Sequence, residues 1–173
     1  ATDGMDKQAV DLLEKEGHVI VVKKYSNDEI LNGSLSEYDA VVVRSATKLH
    51  SEQIRASTSE NSGIRFIGRA GVGVDNIDIE EATENGIIVC NTPGASTQSV
   101  VEITIGHLIS SARGITTADR LLRKGVWAKK QLRGSEIFGK RLGLIGYGRI
   151  SRGVAKAAKC LGMQIMAYDP YVD

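Results

Sequence analysis

Two glycines and one carboxylate carry the clearest chemistry in this chain. The stretch Arg141-Leu142-Gly143-Leu144-Ile145-Gly146-Tyr147-Gly148-Arg149-Ile150-Ser151-Arg152 ends an apolar run on Gly146-Tyr147-Gly148. Gly146 permits a tight turn, and Gly148 lets backbone N–H groups approach a pyrophosphate at the positive end of a helix. Asp169 follows roughly 20 residues on, where such turns have an acid that accepts hydrogen bonds from an adenosine ribose. A carboxylate there repels a 2′-phosphate, so NAD is favoured over NADP. One position departs from the G-x-G-x-x-G pattern: Ser151 replaces the third glycine, which normally allows close helix–strand packing. Serine is small enough to be accommodated with a slight shift.

The elements that must hold these residues are legible around them. Leu142 to Ile145 predicts a buried strand, and Ile150, Val154, Ala158 and Leu161 recur at the spacing of one helical face. Ile165-Met166-Ala167-Tyr168 predicts the next strand, closing on Asp169. A G-x-G alone is weak. Strand, glycine turn, helix, strand and acid in this order describe the first half of a dinucleotide-binding fold.

Upstream, strands and helices alternate. Residues 6–16 predict a helix with Val10, Leu12 and Leu13 toward a core, stopped at Gly17, and residues 18–22 a strand. A short helix over 27–32 precedes a buried strand over 38–43 that ends at Arg44-Ser45. Residues 51–57 predict a helix capped by Ser51, and residues 64–68 a strand broken by Arg69-Ala70-Gly71-Val72-Gly73-Val74. Asp78 caps a helix to Glu84, and residues 86–90 form a further strand. Such alternation specifies parallel α/β architecture. A doubly wound sheet opens on a strand, which here is expected just upstream of Ala1. Asn91-Thr92-Pro93-Gly94 suits a hinge, because Pro93 holds Thr92 extended and Gly94 frees the next step. Residues 97–113 are apolar on nearly all sides, which requires cover from a second domain or a partner subunit. An amphipathic helix over 118–124 and Trp127-Ala128-Lys129-Lys130 then lead into the nucleotide-binding strand.

Composition excludes several classes. The 173 residues carry a net charge of +1, which gives no footprint for nucleic acid or an acidic membrane surface. Ala1-Thr2-Asp3-Gly4 is polar, so no signal peptide is expected, and the most apolar segment is too short to span a bilayer and contains Glu102 and His107. Cys90 and Cys160 are expected to be small buried hydrophobes in a reducing cytoplasm, and no metal-ligand cluster is present. His18, His50 and His107 lack an acid partner at a useful spacing and are expected to be structural or surface residues.

Four motifs in order then point to a family. Val43-Arg44-Ser45-Ala46-Thr47-Lys48, Gly68-Arg69-Ala70-Gly71-Val72-Gly73-Val74-Asp75-Asn76, Asn91-Thr92-Pro93-Gly94 and Gly146-Tyr147-Gly148-Arg149-Ile150 together resemble the D-2-hydroxyacid dehydrogenases. The Arg-Ser-Ala-Thr-Lys stretch is most similar to the branch that oxidises 3-phosphoglycerate. The resemblance covers essentially the whole chain. It implies a flavodoxin-like parallel-sheet substrate domain over residues 1–92, then the first half of a Rossmann NAD-binding domain over 93–173. Residues 97–113 would be the dimerisation helix of a cytoplasmic homodimer.

The resemblance also implies residue roles. Arg44 and Ser45 would contact the anionic end of the substrate, a task that suits the planar guanidinium fork. Gly71-Val72-Gly73 would hold the substrate carboxylate on backbone N–H groups near the nicotinamide, with Arg69 beside them and Asn76 either a ligand or a turn residue. Val72 replaces a threonine common in that branch, which leaves no hydroxyl there for a side-chain contact. Thr97 would lie near the nicotinamide or cap its own helix. Lys129 would reach toward a neighbouring subunit's substrate or remain on the surface. Arg149 and Ile150 would complete the pyrophosphate-facing turn.

The implied reaction is NAD-dependent oxidation of 3-phospho-D-glycerate to 3-phosphohydroxypyruvate, the first step of serine biosynthesis. The family's catalytic Arg, Glu and His come after the nucleotide fold, so none falls within these residues. The chain is therefore expected to be an inactive part of a longer enzyme. A glyoxylate or hydroxypyruvate reductase, an NADH-sensing binding protein on the same fold, and a truncated product that only dimerises are the alternatives.

Overall fold

A computed structural model of the chain describes residues 1–58 and 63–172. It forms two units, Ala1–Ala95 and Ser96–Asp173. In the first, the apolar runs become β1 (Ala40–Val43), β2 (Phe66–Arg69) and β3 (Ile88–Asn91), a parallel sheet in that order. The register puts Val43, Arg69 and Asn91 in one row at the carboxyl edge. Val43, Leu49, Ile54 and Ile67 are fully buried, each such side chain contributing about 1.5–3 kcal/mol relative to exposure.

Helices α1 (Lys7–Lys15), α2 (Asn27–Leu31), α3 (Ser51–Ala56) and α4 (Ile79–Glu84) connect these strands. Their starts follow capping chemistry. The Asp6 carboxylate accepts from Gln8 N, and Ser26 and Glu29 exchange hydrogen bonds at 2.8 and 3.2 Å. The Asp78 carboxylate accepts from Glu81 N at 3.0 Å.

Three expectations for this unit fail. On α1, Val10 and Leu13 are half-buried but Leu12 is 61% exposed, because at 100° per residue it points away from the other two. The cap of α3 is His50, whose N–H donates to Gln53 Oε1 at 3.1 Å. Ser51 instead donates its hydroxyl to Asp78 Oδ2 at 2.7 Å, tying α3 to the start of α4. Residues 18–22 form no strand, and Val19 is exposed. His18 N donates to Leu13 O at 3.1 Å, and the following residues meet Ala1, through Ala1 N to Val21 O at 2.6 Å and Lys23 N to Ala1 O at 3.1 Å. Thr2 N then donates to Val42 O, so the order across the sheet is segment 21–23, Ala1 and Thr2, β1, β2, β3. That is the doubly wound order 2-1-3-4-5 of flavodoxin-like folds.

The second unit holds α5 (Thr97–Arg113), α6 (Ile115–Leu122), β4 (Arg141–Ile145), α7 (Arg149–Cys160) and β5 (Gln164–Tyr168). Strands β4 and β5 pair in parallel across α7. Val154, Ala155 and Ala158 of α7 and Val101 of α5 are buried. Within this chain Val101 is the one buried residue of α5 among those described, and Ile103 is 56% exposed. Its cap position is Ser96 rather than Thr97. Helix α6 starts at Ile115, three residues earlier than expected, because Gly114 at φ +66° reverses the chain directly between the two helices. Both cysteines are free and exposed rather than buried, Cys90 on the edge strand β3 and Cys160 at the last position of α7.

Candidate functional site

Parallel strands bring their carboxyl ends to one edge, where α/β folds place ligands. In the first unit that edge carries Arg44 and Ser45 after β1, Arg69 at the end of β2, Gly71-Val72-Gly73 just beyond, and Asn91-Thr92 at the end of β3. Ala70 N donates to Val43 O at 2.9 Å, extending the ladder one step and bringing the Arg44 and Gly71 loops side by side. Neither Arg44 nor Arg69 forms an ion pair with a carboxylate among the described residues. Arg69 Nε is buried without a partner, and its Nη1 makes only a 3.3 Å contact to Ala70 O. The guanidinium lies over Gly71, where any Cβ would collide with it. The glycine thus makes room for the arginine.

The Asn91-Thr92 pair pins this loop. Asn91 Nδ2 donates to Val72 O at 2.7 Å and Thr92 N to Gly71 O at 2.9 Å. Val72 is partly exposed at the surface of the loop. Asn76 is buried, and its Nδ2 donates to Arg44 O and Thr47 O, so the structure gives it a role in holding a turn. Asp3 accepts from Arg44 N and from Thr47 N and Oγ1. Burial works to raise the Asp3 pKa, but these hydrogen bonds from Thr47 and Arg44 outweigh it and hold the carboxyl below its ordinary value.

In the second unit, Gly146 takes φ +86° and donates to Tyr168 O at 2.7 Å. Gly148 caps α7, followed by exposed Arg149 and half-buried Ile150. No acidic residue lies within the first turn of α7, and the positive end of a helix suits an anion. Neither Gly146 nor Gly148 has a neighbour in the space a Cβ would fill. Asp169 stands beside this turn: Oδ2 accepts from Tyr147 N at 2.6 Å and Oδ1 from Tyr171 N at 2.9 Å. The bond from Tyr147 N, then that from Tyr171 N, lowers its pKa. Each oxygen keeps a lone pair for a further donor. On the other side Arg152 Nε donates to Tyr147 O at 2.9 Å, with its guanidinium 5.5 Å from the Tyr147 ring centroid.

Thr97 is half-buried at the first position of α5. Lys129 is exposed, beside a cavity of about 180 Å³ lined by Leu122, Trp127 and Leu132 among others. Sequence reasoning missed Asp3, Thr47, Asn91 and Arg152. Thr47, Asn91 and Arg152 lie inside motifs the sequence displays but were given no role of their own, and Asp3 had no signal.

The chain matches the profile of "D-isomer specific 2-hydroxyacid dehydrogenase, catalytic domain" over residues 1–168. It is 45% identical over 171 residues to a D-3-phosphoglycerate dehydrogenase of Methanocaldococcus jannaschii, covering 99% of this chain and 32% of that protein. It is also 45% identical over 168 residues to a hydroxypyruvate reductase of Thermotoga maritima, covering 97% of this chain and 54% of the relative. The chain therefore spans from about a third to about half the length of these relatives. Among solved structures, NAD+-bound 3-phosphoglycerate dehydrogenase of Entamoeba histolytica superposes with a TM-score of 0.73 at 32% identity, over 99% of this chain and 52% of that one. The TT0316 protein of Thermus thermophilus superposes at 0.88 with 27% identity, over 99% of this chain and 56% of that one.

Proposed function

This chain belongs to the D-isomer-specific 2-hydroxyacid dehydrogenases, and we propose that the complete enzyme oxidises 3-phospho-D-glycerate to 3-phosphohydroxypyruvate with NAD, opening serine biosynthesis in the cytoplasm. The observation that carries this reading is the carboxyl edge of the first sheet, where Arg44 and Arg69 end adjacent strands without a carboxylate partner among the described residues. Two such guanidiniums suit a substrate with an anionic group at each end. Residues 1–92 would take that substrate and residues 93–173 the cofactor. Arg44 and Ser45 bind the phosphate, with Lys129 of a neighbouring subunit nearby. Arg69 and the backbone of Gly71, Val72 and Gly73 hold the carboxylate.

The residues of the second unit fit a dinucleotide. Gly146, Gly148, Arg149 and Ile150 form an open turn at the start of α7 for the pyrophosphate, and Asp169 takes the ribose hydroxyls. Val72 and Thr97 would border the nicotinamide. When bound, NAD supplies the hydride acceptor. The base that removes the hydroxyl proton, with its orienting acid and a polarising arginine, would follow residue 173. The exposed Ile103 on α5 supports a dimer formed through that helix.

A second reading is reduction of hydroxypyruvate, favoured by the Thermotoga relative at equal identity. Arg44→Ala in the complete enzyme separates the two. The phosphate reading expects KM to rise about tenfold or more for phosphoglycerate, the scale of a lost charged hydrogen bond, and much less for an unphosphorylated hydroxy acid. Equal effects on both substrates would favour the reductase.

A further inference from the structure

The loop from Arg44 to Thr47 is gripped on both sides by groups that the substrate reading leaves without a task. Asp3 Oδ2 accepts from Arg44 N at 2.7 Å and Thr47 N at 3.1 Å, while Oδ1 accepts from Thr47 Oγ1 at 2.7 Å. From the other side, Asn76 Nδ2 donates to Arg44 O at 2.9 Å and Thr47 O at 2.7 Å. Both backbone groups of Arg44 and both of Thr47 are therefore occupied by side chains. The clamp gathers three chain segments: Asp3 follows Ala1 and Thr2, Thr47 follows β1, and Asn76 follows β2. Thr47 and Asn76 are each 7% exposed, so water does not compete well for these bonds.

The Arg44 side chain itself is exposed and has no ion pair among the described residues. The clamp holds its backbone N and O, and so fixes the point from which the side chain leaves the sheet edge. We infer that Asp3, Thr47 and Asn76 are positioning residues that fix Arg44 and Ser45 in a ligand-ready conformation before the anionic end of the substrate arrives. This rests on the proposal that Arg44 and Ser45 take that end. A loop held in its bound form loses less conformational entropy on binding, so the clamp lowers KM without touching the ligand. Asp3 suits the task because a carboxylate accepts several hydrogen bonds and offers no donor that would face the two N–H groups.

Thr47→Val tests this in the complete enzyme, because valine keeps the shape and removes the hydroxyl donor. Expected is a rise of about tenfold in KM for phosphoglycerate, the scale of one charge-assisted hydrogen bond. The effect falls on KM rather than kcat, the Kd for NAD is unchanged, and Thr47→Ser recovers most of the loss. In an Arg44→Ala background the same substitution adds much less to KM, because only Ser45 is left to position. A merely structural role gives a different outcome and overturns the inference: Thr47→Val then lowers Tm, weakens NAD as well, and adds its full effect on top of Arg44→Ala. A raised KM in Arg44→Ala with an unchanged KM in Thr47→Val overturns the inference alone. An unchanged KM in Arg44→Ala overturns the substrate reading and this inference with it. Should the valine variant not fold, Asp3→Asn carries the same cycle, since it keeps the size and loses part of the acceptor.

Discussion

Gly153 marks the tightest approach of α5 to α7, and adding one methyl there should invert its effect with the identity of a single partner. An alanine Cβ at 153 would sit 2.5 Å from Val101 Cγ2, with Val101 Cβ and Cγ1 at 3.7 Å. Carbon atoms are comfortable at about 3.5–4.0 Å, so roughly 1 Å must be found. Val101 is buried, and a valine in a helix has essentially one good χ1 rotamer. It cannot turn aside cheaply. Overpacking of this kind costs about 1–3 kcal/mol, while replacing a mid-helix glycine by alanine returns about 1 kcal/mol of helix propensity. The net expectation for Gly153→Ala is a loss of about 0–2 kcal/mol. In a Val101→Ala background the colliding Cγ2 is gone, only propensity remains, and the same change stabilises by about 0.5–1 kcal/mol.

Thermal or urea unfolding of the four proteins in this cycle measures the coupling directly. Helix α7 begins at the glycine turn, so displacing it also moves the backbone groups proposed for the pyrophosphate. NAD affinity should fall in Gly153→Ala and recover when Val101→Ala is added. Equal stabilisation by Gly153→Ala in both backgrounds would refute the reasoning, because the collision would then not exist.

Two further outcomes follow from the carboxylates. Asp169→Ala should weaken NAD about tenfold, the scale of a charge-assisted hydrogen bond, and relax the rejection of NADP. Unchanged Kd values for both cofactors would remove Asp169 from the site. The acid side of the stability profile should be set in part by Glu81 and Asp78. Glu81 is held below its ordinary 4.5 first by the Arg55 guanidinium, which binds both its oxygens. Asp78 is held below 3.8 first by the Ser51 hydroxyl and then by Glu81 N. Both folded-state values are depressed, so the unfolded chain binds more protons in acid. Their stabilisation is complete above the unfolded values and disappears as pH falls through the folded ones. Stability should therefore be flat near neutrality and decline below about pH 4.5, with a shallower acid decline in Glu81→Gln. An identical acid slope in that variant would contradict the assignment.

The glycine turn was legible because its work is local. Gly146, Gly148 and the strand and helix they join fall within one short stretch, and each residue type there has a single good reason to occur. Val43 and Ile67 were legible for a similar reason, since a buried parallel strand must be continuously apolar. Where sequence reasoning failed, the deciding partner was distant or a small imbalance chose between neighbours. Ser51 and His50 compete for one cap, and the outcome depends on Asp78, 27 residues away, claiming the serine hydroxyl.

Distance in sequence explains the candidate site in the same way. Arg44, Arg69 and the Gly71–Gly73 loop could be named through the family resemblance, and the structure puts them at strand ends, where α/β folds place ligands. Of the groups that hold them, Asn76 was named as a ligand or a turn residue, whereas Asp3 was given no role. Asp3 meets Arg44 and Thr47 across 41 and 44 residues, and Asn76 meets the same pair across 32 and 29. No periodicity registers a single acid or amide whose task is to satisfy another segment's backbone. The proposed ligand groups are thus recognisable by type and place, whereas the hydrogen bonds that hold their backbone are tertiary. A variant that keeps Arg44 and Ser45 but loses Asp3 would still read as a binding edge in sequence, and would be expected to bind poorly.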